Sequence, residues 1–352
     1  MSQLFRGWKF WMRAMAIVLL CWSCGTQSAD RSAVVESKPM ATTPTSTIPQ
    51  AMITDIPPVN VPKINADRLF SHIESLAYER VSEVDRDRSR SYIIQTLEEY
   101  GFSAISLPFD GGVNIFAERL GTDADAGAIL LGAHYDTVSG SPGADDNATG
   151  VATVLEVARL LGSTSTPRTL QLAFFDLEEV GLLGSLAFAA GDANPETLRG
   201  AIILDMVGFA CHTPGCQSYP NGLPTVALPD TGDFLAVLGD AEHLPLLNAV
   251  SAASSGGLPR IVALPIPVRG LLTPDLLRSD HAPFWLKGIG AVMVTDTANF
   301  RNPNYHQPSD LPETRDRSFF NGAAQIVVNA TAALLESQGT LATPVSGVEI
   351  PQ

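Results

Sequence analysis

Short apolar runs that alternate with helical stretches restrict the fold of this chain more than any other feature. Five of these runs have the length and composition of buried β-strands, at residues 113–120, 128–136, 169–176, 200–209 and 291–297. Between and around them, helical spacing of apolar residues predicts helices at residues 66–80, 89–101, 147–161, 183–190 and 315–337. Near-continuous apolar strands spaced by helices are typical of a mostly parallel sheet covered on both faces. We therefore predict an α/β fold in which a mixed but mostly parallel sheet has helices on both faces.

The first 24 residues differ in composition from the rest of the chain. They contain a short apolar run preceded by three basic residues, Arg6, Lys9 and Arg13. No acidic residue occurs before Asp30. Because the apolar run is too short to span a bilayer comfortably, the pattern predicts a secretory signal at residues 1–24.

The signal could also carry a lipid attachment site. The WSCG stretch at residues 22–25 resembles the cleavage and lipidation site of bacterial lipoproteins, which would leave Cys24 as the acylated first residue. The match is imperfect, because Cys21 stands where such sites usually carry Leu. A lipoprotein signal, a simply cleaved signal and an uncleaved anchor remain open, and each of them exports the protein.

Composition also predicts the boundaries of the folded part. Residues 25–62 are rich in Ser, Thr, Pro and Ala without periodicity, which indicates a flexible linker. Globular patterning follows, so we place one domain at residues 63–340 and a tail at 341–352. Inside the domain, residues 209–274 are rich in turn residues in their first part and are interpreted as an insertion that forms a rim or lid.

The charge and the cysteines bear on partners and compartment. Loss of the three basic residues of the signal takes the formal net charge from −15 to −18. So acidic a protein is a poor candidate for binding nucleic acid or an anionic lipid surface, and we expect membrane contact only through an amino-terminal lipid or anchor. Beyond Cys24, only Cys211 and Cys216 remain. In an exported protein we expect them to form a disulfide, with a free pair or an adventitious metal site as the alternatives.

Histidine and carboxylate side chains gather at the predicted carboxyl ends of three strands. They are His134 and Asp136 after one strand, Asp176, Glu178 and Glu179 after the next, and Asp205 after the third. Asp145 and Asp146 begin the helix after the first of these strands, and His306 lies in the loop after the predicted strand at residues 291–297. This set of nitrogen and oxygen ligands without thiolate suits zinc or a similar divalent ion. Each residue has a structural alternative: a core or rim histidine for His134, a helix N-cap for Asp145 and Asp146, a solvated strand end for Glu178 and Glu179, and a turn for Asp205. Together, these alternatives would leave buried polar groups at the end of one sheet without a cation to compensate them.

Six short motifs, in this order, resemble peptidase family M28, metallopeptidases that include bacterial aminopeptidases with two zinc ions. The motifs are GAHYDTV (132–138), GADDNATG (143–150), FFDLEEVGLLGS (174–185), ILDMVGF (203–209), SDHAPFW (279–285) and YHQPSD (305–310). They fall between about residues 66 and 337, nearly the whole globular part. The resemblance implies a zinc-aminopeptidase-like fold with a single catalytic domain.

The resemblance also implies a ligand set for two zinc ions. It consists of His134 and Asp205 for one ion, Glu179 and His306 for the other, and Asp146 between them. Asp146 is preferred to Asp145 because the family's bridging residue lies four positions before the glycine that Gly150 matches. Two such ions could clamp both a water molecule and the scissile carbonyl oxygen. Glu178 would then be the general base that takes the water's proton and passes it to the leaving amine.

The residues themselves support different roles for the two adjacent glutamates. Consecutive side chains of an extended chain point in opposite directions, so Glu178 and Glu179 cannot easily be equivalent ligands of one ion. Asp136, two residues beyond His134, is placed to accept that imidazole's other N–H, although a strand-end cap is the alternative.

Further residues receive supporting or structural interpretations. Tyr305 matches a family position whose hydroxyl can stabilise an oxyanion, with packing as the alternative. Asp280 and His281 match another family motif and are expected to support the site without binding metal. We interpret the remaining histidines as structural or surface residues, namely His72, His212 and His243.

The leading hypothesis is an exported zinc aminopeptidase, periplasmic or at the cell surface, that removes residues from peptides with a free amino terminus. A glutaminyl cyclase of the same fold is the second reading, although Tyr305 precedes His306 where the cyclases tend to carry Trp. A binding ectodomain that has lost the chemistry is the third, and retention of the whole ligand set and of Glu178 weighs against it.

Overall fold

The structure, a computed structural model, describes residues 61–191, 196–221, 223 and 228–344. The predicted signal, Cys24 and nearly all of the predicted linker lie outside these residues, as does most of the predicted tail. Those predictions, and the proposed domain limits, therefore stay predictions.

Seven helices and eight strands make up the described part of the chain. The helices are α1 Ala66–Leu76, α2 Glu83–Glu99, α3 Ala148–Leu161, α4 Leu183–Gly191, α5 Leu244–Ser251, α6 Ala282–Leu286 and α7 Arg317–Glu336. The strands are β1 Ile105–Phe109, β2 Gly112–Arg119, β3 Ala128–His134, β4 Thr169–Phe175, β5 Leu198–Leu204, β6 Phe234–Asp240, β7 Arg260–Ile266 and β8 Ala291–Thr295. Every strand and helix predicted from the apolar pattern is present.

One eight-stranded sheet contains all the strands in the order β1-β2-β4-β3-β5-β8-β6-β7. The central strands β4, β3, β5 and β8 run parallel, and β6 and β7 are parallel to each other but antiparallel to β8. The hairpin β1–β2 adds two antiparallel strands at the other edge. The predicted mixed α/β class is confirmed.

Helices cover both faces of this sheet. Successive side chains of β3 point to opposite faces of the sheet. Leu131 packs in a hydrophobic cluster with buried side chains of α1, α2, α3, α5 and α7. Its neighbour Leu130 packs on the opposite face with Phe188 of α4 and Trp285 of α6. Helix α7 is the one described helix long and apolar enough to cross a membrane, and 78% of its apolar window is buried inside the protein. It therefore has the burial of a core helix.

Residues 209–274 are only partly the rim or lid that the sequence suggested. The segment from Phe234 to Ile266 contributes β6, α5 and β7, and β6 is buried along its whole length between β8 and β7. Its strands are integral to the sheet because Val237 pairs with Val294 of β8 and Leu238 with Leu264 of β7. The described residues before β6 are irregular, and so are those after β7, where only short 3-10 segments occur.

Asn147 fixes the start of α3 against the end of β5. Its Oδ1 atom caps the helix by accepting from the Gly150 N–H at 3.1 Å, and it also accepts from the Met206 N–H at 3.2 Å. Its Nδ2 atom donates to the Leu204 carbonyl at 2.8 Å. One side chain thus joins the helix that follows Asp146 to the strand that precedes Asp205.

Candidate metal centre

Three neighbouring parallel strands deliver predicted ligands to one edge of the sheet. Strands β4, β3 and β5 lie side by side. His134 is the last residue of β3, Asp205 follows β5 directly, and Glu178 and Glu179 lie just beyond β4. The carboxyl ends of parallel strands meet at one edge, where α/β proteins commonly bind ligands.

Two groups of ligand-type side chains share Asp146. In the first group, Nε2 of His134 lies 3.3 Å from Oδ1 of Asp146 and 3.7 Å from Oδ1 of Asp205. In the second, Nε2 of His306 lies 3.1 Å from Oδ2 of Asp146 and 3.3 Å from Oε2 of Glu179. The ligand-type atoms of each group lie within 4.8 Å of one another. The fold therefore brings five predicted ligands together, with one oxygen of Asp146 facing each group.

The adjacent Asp145 is held by other partners. Its Oδ2 atom contacts Arg315 and accepts from Nδ2 of Asn302 at 2.7 Å, while Oδ1 accepts from the Gly208 N–H at 3.0 Å. With both oxygens engaged in this way, Asp145 is a structural carboxylate. Asp146 is the one of the pair that faces the two histidines.

Asp136 orients the segment that carries both glutamates. Its Oδ1 atom accepts from the Glu178 N–H at 3.1 Å, and Oδ2 accepts from the Glu179 N–H at 3.2 Å. Nδ1 of His134 lies 3.4 Å from Oδ1, slightly beyond a standard hydrogen bond. The predicted contact with the imidazole is therefore long, because the same carboxylate is committed to two backbone N–H groups.

Buried negative charge is concentrated in both groups. Burial and then the charge of Asp146 raise the pKa of Glu179 to about 7. Burial lowers the pKa of His306, but the nearby carboxylates of Asp146 and Glu179 outweigh burial and raise that pKa to about 10. Nε2 of His306 and Oε1 of Glu179 are buried without a hydrogen-bond partner among the described residues. A divalent cation would satisfy these atoms, and the imidazole and carboxylate donors fit zinc.

The sequence places the chain in a known family. A model described as peptidase family M28 matches residues 114–228, which include His134, Asp146, Glu178, Glu179 and Asp205. The Escherichia coli protein YfbL, itself uncharacterized, is 35% identical over 273 residues, which are 72% of this chain and 80% of YfbL. The chain belongs to peptidase family M28.

Other relatives of this M28 chain carry names that state an activity. LpqL of Mycobacterium tuberculosis, a probable lipoprotein aminopeptidase, is 30% identical over 234 residues, which are 60% of this chain and 43% of LpqL. The Bacillus subtilis aminopeptidase YwaD is 29% identical over 220 residues, which are 59% of this chain and 41% of YwaD. The chain thus spans less than half the length of these two relatives.

Solved structures share the fold of the M28 chain. An aminopeptidase from Aneurinibacillus sp. strain AM-1 superposes with a TM-score of 0.61 at 17% identity, covering 80% of this chain and 97% of that protein. A Bacteroides thetaiotaomicron glutaminyl cyclase gives a TM-score of 0.54 at 18% identity, covering 77% of this chain and 99% of the cyclase. The fold is therefore common to both enzyme classes and does not separate them.

Glu178 lies beside the two groups of ligand-type side chains, on the wall of a cavity. Its carboxylate lies within 4.8 Å of ligand-type atoms of His134 and Glu179. Burial raises the pKa of Glu178 well above its ordinary value; His134 acts in the opposite direction, and the charge of Asp280 adds to the increase. This carboxyl group is therefore held close to the ligands in an environment that favours binding a proton.

Tyr305 and Asp280 both lie at the site. The Tyr305 ring stacks on the His306 ring with centroids 3.7 Å apart, and its hydroxyl accepts from Nη2 of Arg278 at 2.9 Å. Asp280 is completely buried, neither of its oxygens has a hydrogen-bond partner among the described residues, and burial raises its pKa to about 7. The next residue, His281, donates from Nε2 to the Leu276 carbonyl at 2.8 Å.

The cavity next to the ligand groups has a volume of about 370 Å³. Four of the five ligand-type residues, all except His134, line one side of it, together with the base candidate Glu178, Tyr305 and Arg278. Its other side is largely apolar and is built from strands β6, β7 and β8, through Phe234, Ala236, Leu238, Val262, Leu264 and Met293. The segment interpreted as a rim thus supplies much of the cavity wall.

Other candidate residues lie away from the two groups. Asp176 pairs with Arg86 at 2.9 Å and with Arg90 at 3.4 Å, so it anchors helix α2. The three histidines expected outside the cluster contact other residues, namely His72 with Tyr92, His212 with Asp316, and His243 with Asp240.

Asp310 and Arg315 contact the Asp145–Asp146 segment, although the sequence analysis gave them no role. The available signal was the position of Asp310 in the YHQPSD motif, four residues after His306.

Cys211 and Cys216 are joined by a disulfide near the cavity wall. Cys211 forms an isolated antiparallel bridge with Gly232, just before β6. After the disulfide, Gln217 accepts through Oε1 from Nε of Arg301 at 2.9 Å, and Tyr219 lines the cavity. The small disulfide loop therefore adjoins the irregular part of the wall.

Proposed function

We propose that this M28 protein is a zinc-dependent aminopeptidase. The observation that carries the proposal is the pair of groups of ligand-type side chains that share Asp146 beside the cavity, with Glu178 on the cavity wall. His134 and Asp205 would hold one ion, Glu179 and His306 a second, and Asp146 both. Zinc in these positions would supply Lewis-acid polarisation of a substrate carbonyl.

Glu178 performs the proton transfers in this mechanism. Its carboxylate accepts a proton from the attacking water and returns it to the leaving amino group. Burial favours the protonated form of Glu178, whereas cations held by its neighbours favour the carboxylate, so the group can take up and release a proton. The Asp136 carboxylate accepts hydrogen bonds from the backbone N–H groups of Glu178 and Glu179. It thereby fixes the backbone that carries the proposed base, Glu178, and the proposed ligand, Glu179.

We propose that Tyr305 donates a hydrogen bond to developing negative charge on the carbonyl oxygen. Its hydroxyl lies at the cavity rim and accepts from Arg278, which leaves the hydroxyl proton free to point elsewhere. Burial raises the pKa of Tyr305, so the hydroxyl keeps its proton at neutral pH.

The lining of the cavity supports a proposal about the amino-terminal residue of the substrate. Its apolar side can enclose a large aliphatic or aromatic side chain, which favours burial of such a residue over a small or charged one. We therefore propose peptides whose first residue is large and apolar, with a free amino terminus.

Export belongs to the same proposal. The basic and apolar start of the chain and the WSCG stretch support a periplasmic or cell-surface location, with Cys24 as the candidate lipid attachment site. The name of LpqL, a probable lipoprotein aminopeptidase, is compatible with this location.

The second candidate is a glutaminyl cyclase, because a cyclase shares the fold. A panel of substrates separates the two activities: aminoacyl reporters with Leu, Phe, Ala or Lys, the same reporters with a blocked amino group, and a peptide that begins with Gln. We expect zinc-dependent release from free Leu and Phe reporters and none from blocked ones. Cyclisation of the Gln peptide without hydrolysis would favour the cyclase, and a protein that neither binds zinc nor acts on any substrate would favour a binding ectodomain.

A further inference from the structure

Asp310 connects to the loop that carries the shared ligand. Its fully buried carboxylate accepts from the Asp145 N–H at 3.1 Å and from the Asp146 N–H at 3.1 Å. Its backbone carbonyl accepts from the Ala144 N–H at 3.2 Å. Three consecutive N–H groups therefore point at this one residue.

The same residue belongs to the turn that follows His306. The Asp310 N–H donates to the Gln307 carbonyl at 3.0 Å, and the Gln307 N–H donates to the Asn304 carbonyl at 2.9 Å. These bonds make the segment from Asn304 to Asp310 a compact turn with His306 inside it. Asp310 thus ties the His306 turn to the backbone of Asp146, whose carboxylate lies 3.1 Å from the His306 ring.

Arg315 holds the Asp310 carboxylate in place. Its Nη2 atom lies 3.2 Å from Oδ1 of Asp310, its Nη1 atom contacts Asp145, and its side chain is completely buried. Neither Asp310 nor Arg315 is among the residues that line the cavity. Any effect of Asp310 on the site must therefore pass through the loops that it holds.

The geometry points to Asp310 as a positioning residue that sets the separation of Asp146 and His306 and so determines how tightly the site binds zinc. The inference rests on the proposed metal centre. Removing a residue that orients a ligand typically costs on the order of 10–100-fold in metal affinity. Oδ2 of Asp310 accepts from the Asp146 N–H, and Oδ1 faces Nη2 of Arg315. Asparagine would replace one of these oxygens with an N–H donor, which would then face either the Asp146 N–H or the Arg315 guanidinium, and neither of them can accept.

The test compares zinc affinity in wild type, Asp310→Asn and a matched control, Asp240→Asn. Asp240 is also a buried aspartate that accepts a backbone N–H, from Glu242 at 3.0 Å, and pairs with a side chain, His243. It ends β6, which runs antiparallel to β8, so it lies at the opposite edge of the sheet from the site. Zinc dissociation constants are measured by competition with a chromogenic chelator, and unfolding of each protein is measured in excess chelator.

We expect Asp310→Asn to weaken zinc binding by about 10–100-fold and Asp240→Asn to leave it within about threefold of wild type. A folded Asp310→Asn protein with wild-type zinc affinity would overturn the inference. If that variant does not fold, Asp310→Glu keeps the charge but moves the carboxylate by one methylene, and a folded Glu variant of unchanged affinity would overturn it equally. Absence of zinc binding in wild type would instead contradict the proposed function.

Discussion

Some residues at this site make contacts that their positions in the sequence do not predict. The spacing of His134 and Asp136 predicted one contact between them, yet the Asp136 carboxylate is chiefly occupied by the backbone N–H groups of Glu178 and Glu179. The polar residues at the strand ends could be predicted because each follows an apolar run. Their partners could not, because the contact from Asp310 to Asp146 spans 164 positions of the chain and depends on how two loops meet.

His72 gives a prediction at the scale of one residue. It is buried in α1, with Nδ1 2.7 Å from the Tyr92 hydroxyl, and burial lowers its pKa to about 4. The unfolded chain, with an ordinary histidine pKa of 6.5, then binds more protons than the folded chain between these values. Stability is therefore retained above pH 6.5 and lost as the pH falls toward 4.

We expect this histidine to remove on the order of 2 kcal/mol of unfolding free energy between pH 7 and pH 5. The measurement is urea unfolding at both pH values, with chelator present so that metal binding does not contribute. His72→Gln should have a smaller loss than wild type over this interval. Equal losses in the two proteins would show that His72 is not the source of the pH dependence.

At the scale of helices and strands, the apolar pattern predicted the core and missed the edges. The strands β3, β4 and β5 are buried on both faces and stand out as continuous apolar runs. By contrast, β1 and β7 are edge strands with exposed positions, and a short amphipathic pattern of this kind resembles a loop. Helix α2 begins six residues earlier than predicted, because Ser82 caps it by accepting from the Asp85 N–H.

Strand β6 allows a direct test of the cavity. Ala236 lines the cavity, whereas its neighbour Val237 packs in the core on the opposite face. Ala236→Leu should fill the apolar side and lower kcat/KM for Leu and Phe reporters by about tenfold or more relative to an Ala reporter. Val237→Leu is the matched control and should leave that ratio unchanged. Loss of activity on all reporters alike in Ala236→Leu would argue against a side-chain pocket in this cavity.

At the scale of the whole molecule, the buried carboxylates at one edge of the sheet predict that the stability of the fold depends on a bound cation. Glu179 has an oxygen within 4.8 Å of a ligand-type atom of Asp146 and of Glu178, and burial raises the pKa of both glutamates. A metal ion that binds only the folded protein stabilises it by mass action. The chain as a whole is also acidic, with a formal net charge of −15, so it has no excess of positive charge to offset these carboxylates.

Removal of the metal should therefore lower the melting temperature. At free zinc about 100 times the dissociation constant, binding of one ion contributes about 2.7 kcal/mol, which for a domain of this size corresponds to roughly 5 °C. Calorimetry of the chelator-treated protein before and after zinc addition measures the shift. The same melting temperature in both samples would contradict a metal centre built from these residues.

The order of the two adjacent glutamates is the central claim, and one paired measurement tests it most directly. Zinc content and turnover of a Leu reporter are measured for wild type, Glu178→Ala and Glu179→Ala. We expect Glu178→Ala to keep its zinc and lose about a hundredfold or more in turnover, the scale of a general base. Glu179→Ala should lose zinc, since its carboxylate faces His306 in the second ligand group. Zinc loss in Glu178→Ala together with retention in Glu179→Ala would show that the two roles are reversed.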